Sequence, residues 1–267
     1  MTRTPRTQGT PILLSLTLLV ALFMIGPILV SVSAGLMQNY SAGWRSGLTL
    51  RWVGEVWENY GSTVHASVLI AAAAVVGNML IGVPCAYALA RSRSRWAHWF
   101  EELITLPVAV PGLATALALI LAYGQLRSFR QSFLFVLVGH MVFTLPFMVR
   151  TVAASFRRPD LIALEEAAAT LGASFTQRFT GVLVPAVFPA IVSAALMVFT
   201  LSIGEFNLTW MLHTPLTRTL PVGLADSYAS MRIEIGSAYT LVFLVVVLPL
   251  LWLLQWAASL VQKRYGT

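Results

Sequence analysis

Long apolar runs separated by short polar segments occupy the whole chain. Six of them reach the roughly 20 mainly apolar residues that a helix needs to cross a bilayer. They are Pro11–Leu36, Val64–Ala90, Leu103–Tyr123, Phe133–Ala153, Ala186–Leu212 and Ser237–Val261. Each is interrupted by proline: Pro27, Pro84, Pro107 with Pro111, Pro146, Pro189 and Pro249. In water this would argue against helix, but in a bilayer neighbouring helices satisfy the freed carbonyls. The run Pro107-Val-Ala-Val-Pro111-Gly112 predicts a kink or a broken turn in the third span. Small residues in the second and third spans, among them Gly77, Gly82, Gly112 and Ala116, predict close backbone approach.

The first span follows Arg3 and Arg6 and ends near Ser33-Ala34-Gly35, an order shared with signal peptides. Its apolar stretch is well beyond the roughly 7–15 residues of a signal core, so it reads as a retained helix. The connector Gln38–Thr63 carries Trp44, Trp52 and Trp57 among charged residues, which suits a helix lying at the interface or a solvated linker. The connector His213–Gly236 reads equally as a cap on a pore, a contact for an external partner, or a linker.

Composition narrows the class. Of 267 residues, 58% are hydrophobic and 10% charged, against about 45–50% and about 25% in an ordinary soluble domain. A soluble fold would expose apolar surface that so few charges cannot cover, and disorder is excluded by the same numbers. Cys85 has no partner in the chain for a disulfide. The expected fold is all-α, a polytopic membrane protein with six transmembrane helices, forming one domain over residues 1–267. The net charge of +7 does not point to nucleic acid, because the basic residues gather at the ends of spans. With the N-terminus inside, the inner segments hold eleven of the 17 Lys and Arg residues. That bias predicts a multi-pass membrane protein with both termini cytoplasmic.

Several chemistries are unsupported. The sole lysine, Lys263, follows no glycine loop, so the chain lacks the lysine-bearing phosphate loop that binds ATP. Asp160 and Asp226 lie outside the spans, and His65, His98, His140 and His213 have no metal-ligand spacing. No cofactor, metal or catalytic residue is expected, and the chain does not read as an enzyme. His140, inside the fourth span, reads as a packed, hydrogen-bonded residue.

The segment between the fourth and fifth spans, residues 157–185, has a clear local grammar. Asp160 after Pro159 is the expected N-cap of a first helix. Leu161, Leu164, Ala168 and Leu171 share a helical stripe. Gly172 suits the left-handed position that closes that helix. Ser174 and Gln177 form a capping-box pattern for a second helix, whose face carries Phe175, Phe179 and Val182. Pro185 marks the start of the fifth span. A short apolar-faced hairpin outside the bilayer must bury that face, either in a groove of another protein or on its own bundle.

Here the chain resembles the permease subunits of bacterial ATP-binding-cassette (ABC) importers. Their loop pattern, E-A-A, three residues, G, nine residues, then I-x-L-P, reads here as Glu166-Ala167-Ala168, Gly172 and Val182-Leu183-Val184-Pro185. Valines stand where Ile and Leu are usual, which keeps the apolar character. The resemblance covers essentially the whole chain and implies a type I importer permease fold. It also implies two separate ABC ATPase subunits, a second permease subunit, identical or homologous, and a periplasmic solute-binding protein. Glu166, Ala167, Ala168, Gly172 and Pro185 would then carry the ATPase-coupling contact and turn.

Glu205 is the one acidic residue well inside a span, and such a carboxylate faces a cavity or a partner. With Asn207 and Ser202 it is expected to line the translocation pathway; the bland alternative is a structural pair. The stretches Gly204-Glu205-Phe206-Asn207 and Thr217–Leu224 resemble the branch serving polyamines, opines and 2-aminoethylphosphonate, with ferric-iron, thiamine and oxyanion permeases nearby. A stand-alone secondary transporter would need more ionisable residues inside the spans or an inverted repeat, and a membrane scaffold would leave Glu205 unexplained.

Overall fold

The computed structural model describes residues 10–265, with side chains described from 13 to 260. Arg3 and Arg6 lie outside the described residues, as do the side chains of Lys263 and Arg264. Apart from one antiparallel bridge between Met37 and Leu48, regular structure among the described residues is helical. The helices are α1 (Thr10–Leu36), α2 (Arg51–Arg91), α3 (Arg95–Ala109), α4 (Gly112–Tyr123), α5 (Arg127–Arg130), α6 (Phe133–Phe156), α7 (Pro159–Thr170), α8 (Phe175–Arg178), α9 (Val184–Ile203), α10 (Asn207–Leu212), α11 (Leu220–Ala229) and α12 (Ile233–Tyr265). A 3-10 turn occupies Tyr40–Ser46 and a π turn Phe179–Leu183. Among the described residues, five helices are long and apolar enough to cross a membrane, and α3 with α4 makes a sixth candidate as a pair bent by 108°.

The bend confirms the expected break in the third span and shows how sharp it is. Pro111 forces the residue before it out of helical geometry, and Val110 sits at φ −87°, ψ 133°. At about 1.5 Å per residue α3 and α4 are about 22 and 18 Å long, each short of a bilayer core of about 30 Å. The fifth span is also broken, with α9 ending at Gly204 and α10 starting at Asn207. The tryptophan-rich connector is not a separate interfacial helix: from Arg51 onward it is the first three turns of α2. The second connector contains α11.

The chain divides into two compact units. One comprises the chain up to Tyr60 together with Leu224–Val245. In it α1 and the start of α12 cross so closely at Gly35 that an added Cβ would lie 2.7 Å from Ser237 C and Ala238 N. Ser31 Oγ donates to Thr240 Oγ1 at 3.2 Å beside this crossing. Below it Arg232 pairs with Glu55 at 2.7 Å and donates to Tyr60 Oη at 3.0 Å. The large apolar side chains of α1 between Leu13 and Val30 point outward, Phe23 being 78% exposed, as befits a helix facing lipid.

The other unit comprises Gly61–Gly223 with the chain from Val246 on. Its main core joins α2 (Ala74, Val83, Ala86), α6 (Met148, Val149, Val152, Phe156), Leu161 of α7 and α9 (Val187, Ile191, Ala194, Val198). A second cluster holds Ile70, Ala116, Phe135 and Val136 against Leu208 and Leu212 of α10. Lipid tails are as apolar as these side chains, so the packing is held by close van der Waals fit and interhelical hydrogen bonds.

Gly35→Val is expected to lower the unfolding midpoint in detergent, at the cost of about 1–3 kcal/mol typical of overpacking. Gly26→Val, where an added Cβ meets nothing within 4 Å, should leave the midpoint unchanged.

Candidate functional site

The segment between α6 and α9 folds as the expected hairpin, with three corrections. The N-cap of α7 is Arg158, not Asp160: Pro159 occupies the first helical position, where its missing N–H costs nothing, and Asp160 falls in the first turn. The inward stripe of α7 is Leu161, Glu165 and Ala168, whereas Leu164 is exposed and Leu171 is 88% exposed. Pro185 does not open a separate span, because helical structure runs without a break from Phe175 to Ile203. The ring of Pro185 removes one rung of the ladder, and the chain absorbs it with a π turn in which Val184 N donates to Phe179 O. Val182 is accordingly only partly buried, and Leu183 takes the core position.

Gly172 and Ser174 fold as read. Gly172 has φ +83°, its N–H donates to Ala169 O at 3.0 Å, and Ala173 N donates to Ala168 O at 3.1 Å, the paired bonds of a Schellman closure. An added Cβ there meets nothing within 4 Å, so the requirement for glycine is the backbone angle alone. The capping box of Ser174 and Gln177 is formed in both directions.

Glu165, 7% exposed, is the hub of the hairpin, and the sequence did not single it out. Its Oε1 accepts from Tyr87 Oη at 2.6 Å and its Oε2 from Arg91 Nε at 2.7 Å, while Arg178 lies 3.8 Å away. Arg91 also donates to the carbonyl of Phe156. The Tyr87 ring packs against Phe156, Phe175 and Phe179 at centroid distances of 5.5, 5.7 and 5.3 Å. Burial alone would raise the Glu165 carboxyl; the bonds from Tyr87 and Arg91 and the charges of Arg91 and Arg178 outweigh it and hold it below its ordinary value. Glu166 and Ala167, one step around the helix, are exposed, and Ala168 is half-buried.

A second polar cluster surrounds the break in the fifth span. Glu205, 9% exposed, accepts through Oε1 from Leu208 N at 2.8 Å and through Oε2 from Thr209 N at 2.9 Å and Thr209 Oγ1 at 2.8 Å. The carboxylate thus satisfies the amides freed where α10 begins. Thr209 spends its proton on this carboxylate and therefore accepts from His140 Nε2, 2.8 Å away. The other ring nitrogen, Nδ1, then accepts from Ser202 Oγ at 2.7 Å. His140 is thus the packed, hydrogen-bonded residue expected of it. Asn78 Nδ2 extends the cluster to Thr144, which donates to His140 O. At its far end α10 is closed by Arg130, which donates to the carbonyls of Leu212 and Met211 at 2.9 and 3.3 Å. Ser202 and Glu205 are buried, while Asn207 is exposed in the first turn of α10. The two broken spans meet here: a Cβ on Gly112 would lie 3.2 Å from Asn207 Cβ and 3.6 Å from Glu205 Oε1.

The family described as "Binding-protein-dependent transport system inner membrane component" matches residues 78–266. The chain belongs to this family. It is a multi-pass component of the inner membrane, the permease of an ABC transporter and not its ATPase; it works with ATPase subunits, permease and a binding protein. It is 28% identical over 256 residues to a putative 2-aminoethylphosphonate transport system permease protein, PhnV, of Salmonella typhimurium, covering 94% of this chain and 93% of that one. It is 30% identical to the putrescine transport system permease protein PotI of Escherichia coli, over 82% of this chain and 81% of that one. It is 32% identical to the molybdenum transport system permease protein ModB of Mycobacterium tuberculosis, over 69% and 74%. Among solved structures, a bacterial ABC transporter that imports the acidic polysaccharide alginate matches with TM-score 0.68 at 19% identity over all of both chains. The MetNI methionine ABC transporter in inward-facing form matches with TM-score 0.62 at 18% identity, over 76% of this chain and 94% of that one. These two likenesses are of fold, and they bear out the all-α permease architecture.

A carboxyl held below its ordinary value contributes stability that is complete above that value, 4.5, and fades as pH falls through the lower folded one. Glu165→Gln is therefore expected to lose about 2 kcal/mol at pH 7, with the difference from the native protein shrinking as pH drops below 4.5. Unfolding midpoints at the two pH values check both parts.

Proposed function

We propose that the chain forms half of the pathway by which a small amine-bearing solute enters the cell. Residues 157–185 then act as the cytoplasmic segment that takes force from the ATPase subunits. On this reading the chain is one transmembrane domain over residues 1–267 with both termini cytoplasmic. It sits in the lipid bilayer, pairs with a second permease subunit, and receives solute from an extracytoplasmic binding protein. The observation that carries the reading is the two-sided hairpin. Leu161, Glu165 and Ala168 hold one side to the bundle, and Glu166, Ala167 and Leu171 present the other side without a covering element. A charged residue, a small residue and a large apolar one on a rigid turn suit a cleft in a partner protein.

The proposed coupling residues divide the work. Glu166 and Ala167 meet the ATPase, Ala168 allows close approach to the bundle, Gly172 sets the angle of the turn, and Pro185 places the π turn where α8 continues into α9. Closure of the ATPases on ATP moves the hairpin as a lever and rocks the helices between inward and outward access. The proposed route passes the break in the fifth span. Asn207 is exposed beside it, and Glu205 and Ser202 hold α10 in place behind it. The likeness to the 2-aminoethylphosphonate permease PhnV and the putrescine permease PotI supports an amine-bearing substrate such as a polyamine or 2-aminoethylphosphonate. The ModB relative favours a second reading, an oxyanion such as molybdate.

Gly172→Val places a β-branched residue at φ +83° and should misalign α8; Glu166→Ala removes the exposed charge. Each is expected to lower ATP hydrolysis by the reconstituted transporter about tenfold while the permease still purifies folded. Full hydrolysis and uptake in both variants would defeat the coupling reading.

For the route, Glu205→Gln should cut uptake about tenfold without preventing assembly, and unchanged uptake removes Glu205 from it. Binding protein loaded in turn with putrescine, 2-aminoethylphosphonate and molybdate decides the substrate. Stimulation of hydrolysis by an amine is expected, and stimulation by molybdate alone overturns it.

A further inference from the structure

We propose that Tyr87, Arg91, Glu165 and Arg178 form a locked joint that makes the α7–α8 hairpin one rigid body with the ends of α2 and α6. Force arriving at the hairpin then reaches α2 as directly as it reaches α9. The inference rests on the coupling reading above and concerns how the load is distributed once received.

Chain connectivity sets the problem. The hairpin is joined to α6 by the two-residue link Arg157-Arg158, and it continues into α9 through the π turn. Neither covalent path includes α2. A lever hinged only at its two ends would swing on the Arg157–Arg158 link and leave α2 behind. The Glu165 carboxylate closes that gap, because its two oxygens take bonds from two residues one turn apart on α2, Tyr87 at 2.6 Å and Arg91 at 2.7 Å. Arg91 simultaneously holds the last carbonyl of α6, that of Phe156. Arg178 brings α8 to the same carboxylate. The carboxylate of α7 thus gathers α2 and α8 directly, and α6 is tied in through Arg91.

The character of the contact favours transmission over simple adhesion. Apolar side chains of similar volume would hold the hairpin at least as stably as a part-buried ion pair. What charged hydrogen bonds add is direction: each works over a narrow range of distance and angle. Three aromatic rings around Tyr87 keep its hydroxyl aimed at the carboxylate, and the side chains of Glu165 and Arg91 are only 10% and 20% exposed. Glu165 is a positioning residue in this scheme, and its neighbour Glu166 is the one that touches the partner.

Spin labels at Ala88→Cys on α2 and Ala169→Cys on α7, both exposed positions, test this in a Cys85→Ser background within the complete transporter. In the otherwise native protein the distance between them should stay within about 2 Å between the nucleotide-free and the ATP–vanadate-trapped states. Glu165→Gln should broaden or shift it in the trapped state. It should also lower the ratio of ATP hydrolysis with and without the binding protein about tenfold. Glu165→Asp, which keeps the charge, should restore part of that ratio, as a merely structural role would not require. A native distance that changes by about a helical turn, 5.4 Å, or a Glu165→Gln ratio equal to the native one overturns the joint. Cross-linking of Ala167→Cys to the ATPase separates the two readings. Absence of the cross-link overturns the coupling reading and the joint with it, whereas a cross-link with a shifting distance overturns the joint alone.

Discussion

Inside lipid a backbone amide or carbonyl has no water to turn to, and this constraint governs where the helices of the protein can break. The two ends of α10 carry substitute partners. Where α9 stops and α10 begins, the Glu205 carboxylate takes the amides of Leu208 and Thr209. Where α10 ends, Arg130 takes the carbonyls of Leu212 and Met211. Where Pro111 separates α3 from α4, no side chain caps the new helix, and α4 starts with its own ordinary bonds from Ala114 and Thr115 to the Pro111 carbonyl. Glu205, the ionisable group of the broken fifth span, and Arg130 of α5 are therefore spent on backbone geometry first. Any part they take in transport is exercised through the shape they impose on α10.

The two breaks also lie against each other, since Gly112 at the start of α4 approaches Asn207 and Glu205 at the start of α10. Irregular backbone at membrane depth is tolerated where it is enclosed by protein or lines a cavity. Glycine at this position lets two helix ends come within reach of one another, and the His140 cluster fixes one of them to α6 and α9. This arrangement supports placing the proposed route at the break, with Asn207 on its exposed side.

Two adjacent glutamates illustrate how helical geometry divides labour. Glu165 and Glu166 differ by about 100° around α7, so one is drawn into the bundle and the other left outside. The buried one gains three cationic or hydroxyl neighbours, and the exposed one gains none among the described residues that would compete with a partner. A hairpin fastened on one side and bare on the other is the physical basis for the proposed coupling.

Much of this was legible in residues alone. Apolar run length gave the crossings, because bilayer thickness sets a minimum helix length. Proline spacing gave the broken third span, because Pro111 bars helical geometry at Val110. The turn at Gly172 and the cap at Ser174 were readable because both are local, decided by residues within five positions of each other. Two departures are local as well: Pro159 at the first helical position makes Arg158 the cap in place of Asp160, and a π turn carries Pro185 inside one continuous helix. The exposure of Leu164 and Leu171 has a different cause, the face that α7 turns to the bundle. Glu165, Tyr87, Arg91 and Arg178 lie as much as 91 positions apart in sequence, with no periodicity to link them. Local chemistry, acting over a few bonds of chain, was settled by the sequence itself. Which face of a helix is buried, and which distant charge meets it, was decided only by tertiary packing, because burial and Coulomb attraction depend on separation in space rather than along the chain.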